Sequence, residues 1–485
     1  MRILQAASEA VPFAKTGGLA DVAGSLSAKL ASLGHDVFLV LPLYRETRSW
    51  AGNARRTLTL GVPLGSETRS LSVALLEKGN LRIAFVDDPA FFGRPGVYGE
   101  NGADYADNDR RYSLFCRAVL EAAKALEFAP EIVHAHDWQT GLLPILLKRL
   151  YAGDPVLGRA HSVFTVHNMA YQGLFPASSV TLSGLSLKEM SPSSLEFYGK
   201  ASFLKAGLVF ADRLTTVSPT YAREIQDSIE TGCGMEGILR QRSRFLTGIL
   251  NGLDVDYWDP EKDPNLPEPY GAATVFQGGK AAAKRALRRE CGLKVDGSLP
   301  LIGIVSRLDR QKGLDVAIAA LERRLGGFEL AVLGSGDPAL AASIRQYASR
   351  HPSRIYFREG FDESFAHGLY AASDIFLMPS RFEPCGLGQM IAMRYGAVVV
   401  GSRAGGLADT VFEADSGSGN GFLAEPGDVE SLGRALDRAL EAFHGPMWPK
   451  LVERGMRTDF SWDRSARAYI ELYENLMGAA LGPKA

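Results

Sequence analysis

Several short stretches of this 485-residue chain carry residue types that could hold an anion or a hydroxyl-rich ligand. AKTGGLAD, residues 14 to 21, sets Lys15 beside Gly17 and Gly18, between an apolar run and a helical pattern. Glycines let backbone N–H groups approach a ligand closely, a helix N-terminus favours negative charge, and a lysine adds a point charge. The spacing is neither GxxxxGK[ST] nor GxGxxG, and a plain turn with a solvated lysine is the bland alternative. SRLDRQKGLD, residues 306 to 315, places Arg307 and Lys312 after a strongly apolar run. Arg binds phosphate bidentately and Lys is a compact charge, so two cations on one loop suit a diphosphate; a charged surface loop is the alternative. In SRFEPCGLGQ, Glu383 follows the apolar run DIFLMPS and precedes a helical pattern. A carboxylate there can accept hydrogen bonds from ligand hydroxyls, or simply favour a helix N-terminus. Cys385 has no evident base partner and reads as a small buried residue, not a nucleophile.

Two further stretches bring imidazole, carboxylate and aromatic groups to strand ends. In EIVHAHDWQTG, alternation puts His134 and His136 on one side of a strand, with Asp137 and Trp138 at its terminus. Zinc needs more ligands than this pair, and no third is evident nearby, so no metal site is expected. Trp138 offers a flat face to a sugar, although core packing is the commoner use. In FTVHNMAYQGLF, His167 and Asn168 end an apolar run, and Tyr171, Gln172 and Gly173 follow. Gly405 and Gly406 in SRAGGLADTV, and Gly334 and Gly336 in LGSGD, are ligand-approach loops or tight turns. Together these groups describe a ligand that is anionic at one end and rich in hydroxyls at the other. A nucleotide sugar fits.

The elements that must position these residues are short apolar runs alternating with helical patterns. RILQAA, VFLVLPL, LRIAFVD, EIVHAHDW, SVFTVHN and RLTTVSP read as buried strands in the first half. LIGIVSRL, FELAVLGSG, RIYFREGF, DIFLMPS and GAVVVGS do so in the second. The alternation predicts an α/β protein with mainly parallel sheets covered on both faces. Residues 250 to 280 are rich in Pro, Gly, Asp and Asn and read as a linker, so domains are placed at 1–250 and 251–485. The last helical pattern, near 463–480, has no strand after it and could pack on either domain. RILQAASEAVPFAKTGGL and LIGIVSRLDRQKGLD echo each other as strand, Lys/Gly loop and helix. In open α/β sheets, ligands sit at the carboxyl ends of strands where strand order switches.

Bulk properties exclude other classes. Hydrophobic residues make up 46%, charged residues 22%, and the net charge is −2, normal for a globular protein with no pull on nucleic acid. No apolar run reaches the roughly 18 residues of a membrane span. The N-terminal apolar run is too short for a signal peptide core, which predicts a cytoplasmic protein. Cys116, Cys233, Cys291 and Cys385 are far apart, as free thiols in a reducing compartment would be.

KTGGLAD, HAHDWQTG, TVHNMAYQG, NGLD, SRLDRQKGLD, SRFEPCGLGQ and RAGGLADTV occur in the order seen in bacterial and plastid glycogen and starch synthases, and the resemblance runs to about residue 470. It implies the GT-B fold, two Rossmann-like doubly wound domains facing across a cleft. It implies retaining transfer of glucose from ADP-glucose to the non-reducing end of an α-1,4-glucan such as glycogen. By the same resemblance Lys15, Gly17 and Gly18 lie by the donor phosphates, and Arg307 and Lys312 hold the diphosphate. Glu383 contacts the transferred glucose, with Cys385, Gly386 and Leu387 beside it. Asp137 and His167 line the reaction centre, the His through its backbone carbonyl. Asn251 lies at the hinge and faces the donor, Gly406 and Leu407 lie near the diphosphate, and Phe361 lies near adenine. Many retaining GT-B enzymes carry a second Glu eight residues after the first; here that position is Ile391, a departure the synthases share, and the ribose contact is left unassigned.

The expected partners are thus ADP-glucose and a glucan, with no cofactor, since fixed cations do the work of a metal. Retention ordinarily uses two carboxylates, one of them a nucleophile. Asp137 and Glu383 are the acidic candidates, but no nucleophile with a paired base stands out, so front-face displacement is expected. The rivals are a synthase preferring UDP-glucose, a glucan phosphorylase, for which no pyridoxal phosphate motif is present, and a degenerate glucan-binding protein.

Overall fold

A computed structural model of the chain describes residues 1–100, 102–294, 298–415 and 417–480. It divides into two compact units. The first comprises Met1–Val217, Ala222–Gly252 and the chain from Trp462 on; the second comprises Ser218–Tyr221 and Leu253–Ser461. Asn251, placed at the start of the second domain by sequence, is therefore in the first unit.

The first unit is built on a nine-stranded sheet. Its order is Leu246–Gly248, Arg213–Thr216, His161–Val166, Ile132–His136, Arg2–Ala6, Asp36–Pro42, Leu81–Asp87, Glu67–Lys78 and Arg56–Leu64. Neighbours are parallel from the first strand of this order through Leu81–Asp87. Strands such as Ile132–His136 are buried along their whole length, which is why they read as unbroken apolar runs. From Arg2–Ala6 the chain first builds outward through Asp36–Pro42, then returns to add Ile132–His136 on the other side. The strand order therefore switches between Arg2–Ala6 and Ile132–His136, and the loops leaving their carboxyl ends part there.

The antiparallel hairpin of Arg56–Leu64 and Glu67–Lys78 was not read from the sequence. Its strands alternate exposed and buried residues, and that weaker pattern does not match the buried runs elsewhere. The short strands Leu246–Gly248 and Gly421–Ala424 were missed too.

The terminal helix Trp462–Ala480 belongs to the first unit. Its buried face, with Trp462, Tyr469 and Tyr473, shares one apolar core with Leu26 and Leu30 of the helix Gly18–Ser32. Lys29 pairs with Asp463 at 2.7 Å on the rim of that contact.

The second unit carries a six-stranded, wholly parallel sheet. Its order is Ile355–Glu359, Glu329–Gly334, Leu301–Val305, Ile375–Met378, Val398–Ser402 and Gly421–Ala424. Here the order switches between Leu301–Val305 and Ile375–Met378. The segment 253–278 has no helix or long strand, and ends at the helix Gly279–Cys291. It is held by polar bonds: Asp263 accepts from Tyr395 at 2.6 Å and lies 2.6 Å from His367 Nδ1. Lys280 is buried among the carbonyls of Ala371, Ser373 and Tyr395 at 2.7 to 3.0 Å, and burial lowers its pKa to about 7.

Candidate active site

In both units the chemistry-bearing residues follow the strands that flank the switch point. In the first, Arg2–Ala6 runs into Ser8 and Glu9, and Ile132–His136 runs into Asp137. Asp137 is buried and holds φ at +56°, in the left-handed region that non-glycine residues rarely adopt. Its carboxylate accepts the backbone N–H of His167 at 2.7 Å, which joins the ends of two adjacent strands. Burial, with a smaller contribution from the Glu9 charge, pushes the Asp137 carboxyl up to about 7. A carboxyl that titrates near neutrality, on a strained strand end, is a candidate reaction-centre group.

His167 turns its ring inward. Its Nε2 lies 3.0 Å from His136 Nδ1, and His136 Nε2 lies 2.8 Å from Gln5 Oε1. The His134 and His136 rings stack at 4.2 Å, as their alternation on one strand requires. His134 lies 2.6 Å from Thr165 Oγ1 and 2.7 Å from Tyr473 OH. Burial holds His134 and His167 down to about 3, and His136 well below its ordinary value. These neutral rings, linked from Gln5 through His136 to His167 Nε2, form a buried polar cluster next to Asp137. Among the described residues no group of three or more His, Cys, Asp or Glu is arranged to hold a metal ion. Trp138 packs edge-on against Tyr112 at 4.9 Å and lies buried, so it serves the core.

The terminal helix completes this cluster, because Tyr473 OH also receives Gln5 Nε2 at 3.4 Å. Tyr473→Phe is expected to lower stability by about 1–3 kcal/mol, by leaving buried polar atoms of His134 and Gln5 without their partner. A shift in the urea midpoint at unchanged slope measures it.

The AKTGGLAD loop is organised by a residue the sequence reading did not single out. Glu9 is buried and accepts from Thr16 through both its backbone N–H and its hydroxyl, the latter at 3.0 Å. Tyr98 OH donates to Glu9 at 3.1 Å and lies 2.7 Å from Ser8 Oγ. Burial raises the Glu9 pKa. An acidic residue inside the apolar run AASEAVPF was the available signal for Glu9; nothing near Tyr98 in sequence links it to this loop. Lys15 is half-exposed and pairs with Asp21 at 2.8 Å. A Cβ on Gly17 or Gly18 would meet nothing within 4 Å, so packing inside the chain does not demand glycine at either position. Asn251 is buried, and its Oδ1 meets no hydrogen-bond donor among the described residues.

In the second unit, Lys312 and Glu383 come from the loops after the two switch-point strands and meet at 2.6 Å. Ser380 Oγ donates to the same carboxylate oxygen at 2.9 Å. Glu383 is buried, and Asp309 caps the turn that presents Lys312. Arg307 is half-exposed and lies 3.3 Å from Asp309. Gly405 and Gly406 pack directly on the backbone of the Glu383 loop. The Gly406 N–H donates to Glu383 O at 3.0 Å, and a Cβ on Gly406 would fall 2.0 Å from Cys385 O. That N–H is thus engaged with protein and positions Glu383. Leu407 is buried behind it. Cys385 is buried too, and the Cys385 and Gly386 carbonyls both accept from Gln389 Nε2 at 2.9 Å. Leu387 caps the helix Gly388–Arg394. Phe361 stands apart: it follows the edge strand Ile355–Glu359, two strands from the switch, and is 85% exposed.

Comparison with known proteins matches residues 2–241 to the family described as starch synthase catalytic domain, and residues 299–442 to glycosyl transferases group 1. The chain is 44% identical to a glycogen synthase of Elusimicrobium minutum, across 98% of this chain and 100% of that protein. It is 47% identical to a glycogen synthase of an Anaeromyxobacter species, across 98% and 99%. The catalytic domain of starch synthase IV from Arabidopsis thaliana, solved bound to ADP and acarbose, superposes with a TM-score of 0.88 at 34% identity, across 98% of this chain and 99% of that one.

Proposed function

The chain belongs to the glycogen and starch synthase family, hexosyltransferases of the GT-B fold, and from that footing we propose retaining transfer of glucose from ADP-glucose to the non-reducing end of an α-1,4-glucan, elongating glycogen. The observation that carries the reading is the Lys312–Glu383–Ser380 cluster at a topological switch point. It sets a cation and a hydroxyl-accepting carboxylate within one ligand's reach.

In this reading the reaction breaks the bond between the anomeric carbon and the donor phosphate. Negative charge grows on the leaving diphosphate, and Lys15, Arg307 and Lys312 meet it with fixed positive charge. Gly17 and Gly18 leave room for the phosphates to approach backbone. Glu383 accepts hydroxyls of the transferred glucose. Asp137, once ionised, opposes the positive charge that develops at the anomeric carbon. The acceptor hydroxyl attacks from the face the diphosphate leaves, and its proton passes to the departing phosphate. Two observations favour this front-face course over a covalent intermediate. Glu383 is already tied to Lys312 and Ser380, which quenches its nucleophilicity, and the raised Asp137 carboxyl is partly protonated at neutral pH. The His167 ring is engaged with His136 through Nε2, and in this reading His167 meets substrate through its backbone carbonyl. The reaction needs no metal, because side-chain cations occupy that role. The compartment is the cytoplasm, in keeping with four free cysteines.

Incorporation of glucose into added glycogen, with ADP-glucose and UDP-glucose compared in EDTA, tests the reading. Strong transfer from ADP-glucose that survives chelation is expected. Transfer from UDP-glucose alone would overturn the donor assignment, and loss of transfer in EDTA would overturn metal independence.

A further inference from the structure

We propose that Tyr198, at the tip of a hairpin in the first unit, is a stacking platform for the glucan acceptor chain; this rests on the acceptor reading above. The strands Glu196–Phe197 and Lys200–Ser202 pair with Phe197 opposite Lys200, which leaves Tyr198 and Gly199 as a two-residue loop. Both hold positive φ, +48° and +78°. Asn, Asp and Gly dominate such turns because both central residues are left-handed, and a tyrosine there is disfavoured by its Cβ. Burial does not offset that cost, since Tyr198 is 81% exposed and its ring meets Phe197 edge-on at 4.6 Å. An aromatic ring kept in an unfavourable backbone conformation and turned to solvent points to binding, not to folding.

The hairpin that carries the ring is also joined to the strand end that bears Asp137. Lys200–Ser202 pairs with Leu174–Phe175, and Phe203 N donates to Gly173 O at 3.0 Å. The Phe175 ring lies 5.5 Å from that of Trp138, the residue after Asp137. Tyr171 and Leu174, exposed by 48% and 39%, lie on the segment that connects His167 to this small sheet. Exposed apolar surface is thus tied to Asp137 and His167 by packing and backbone bonds within a single unit.

The chemistry of the surface selects the ligand. An α-1,4-glucan carries no charge, and each pyranose presents an apolar C–H face that lies flat on an aromatic ring. The hairpin balances Glu196 against Lys200, so it offers no net charge to an ionic ligand.

The test compares wild type with Tyr198→Ala and Tyr198→Trp, at saturating ADP-glucose and varied glycogen. Alanine is expected to raise KM for glycogen roughly tenfold, with kcat and the KM for ADP-glucose unchanged; tryptophan restores it. Native electrophoresis through glycogen-containing gel reads binding without turnover, and the alanine variant is expected to lose its retardation. If glycogen KM and retardation both stay within about twofold of wild type, the platform is wrong. The same holds if only the oligomeric state of the alanine variant changes, which would make Tyr198 a protein contact. Should wild type transfer nothing from ADP-glucose, the function reading fails and the gel alone decides. Retardation lost in the alanine variant would still uphold the platform; retardation unchanged, or absent from wild type, would end it.

Discussion

Glu383→Ala is expected to lower kcat for glucosyl transfer by about two to three orders of magnitude, with the fold intact. The carboxylate is buried and fixed by Lys312 at 2.6 Å and Ser380 at 2.9 Å, so in the proposed reaction it would meet the sugar without reorganising. Its backbone carbonyl, held by Gly406 N–H at 3.0 Å, keeps the loop in place when the side chain is removed. The loss should therefore fall on turnover, with a smaller effect on the KM for ADP-glucose, because in the proposed reaction the freed Lys312 keeps its charge for the donor phosphates. Initial rates of glucose incorporation beside a thermal melt separate the two. A variant within tenfold of wild-type kcat would remove Glu383 from the reaction.

The second large effect sits at Asp137, where stability and activity should move in opposite directions. Its carboxyl titrates near 7 in the fold against an ordinary 3.8. Between those values the unfolded chain is ionised while the folded chain keeps its proton. Stability therefore falls as pH rises through that window, by about 1.4 kcal/mol per unit, and levels off above it. Asp137→Asn removes that penalty. Asparagine tolerates the left-handed backbone, and its side-chain oxygen can still accept the His167 N–H. The variant should be more stable than wild type at pH 8, by up to roughly 4 kcal/mol, and nearly equal to it at pH 4. It should also lose at least about a hundredfold in kcat, because no ionised carboxylate remains to oppose positive charge at the anomeric carbon. The pH profile supplies the second check: wild-type kcat should fall below an apparent pKa near 7, and the residual rate of the variant should be flat there. A variant less stable than wild type at pH 8, or one with the same pH limb, would contradict this account.

The sequence made the strand ends legible because each motif follows an apolar run that is buried on both faces. Asp137, Lys312 and Glu383 could be placed at carboxyl ends for that reason alone. What pairs across the sheet was not legible. The Lys312–Glu383 bond spans 71 residues and the Tyr98–Glu9 bond spans 89, and no local pattern encodes either. The inward turn of the His167 ring was hidden for the same reason, since its partner His136 sits on the neighbouring strand. The placement of the terminal helix was undecidable from its own apolar stripe. Tyr473 belongs to the first unit because its hydroxyl satisfies His134, a demand that appears only once the sheet is assembled.

Gly405 and Gly406 lie so close to the Glu383–Cys385 backbone that neither position has room for a side chain. Segments that are separate motifs along the chain are therefore one mechanical part. Recombination or design that moves the Glu383 loop into another scaffold must carry the Gly405–Gly406 turn with it. The unit of exchange is the interlocked pair, and a chimaera that swaps only one half inherits a clash at the site it was meant to improve.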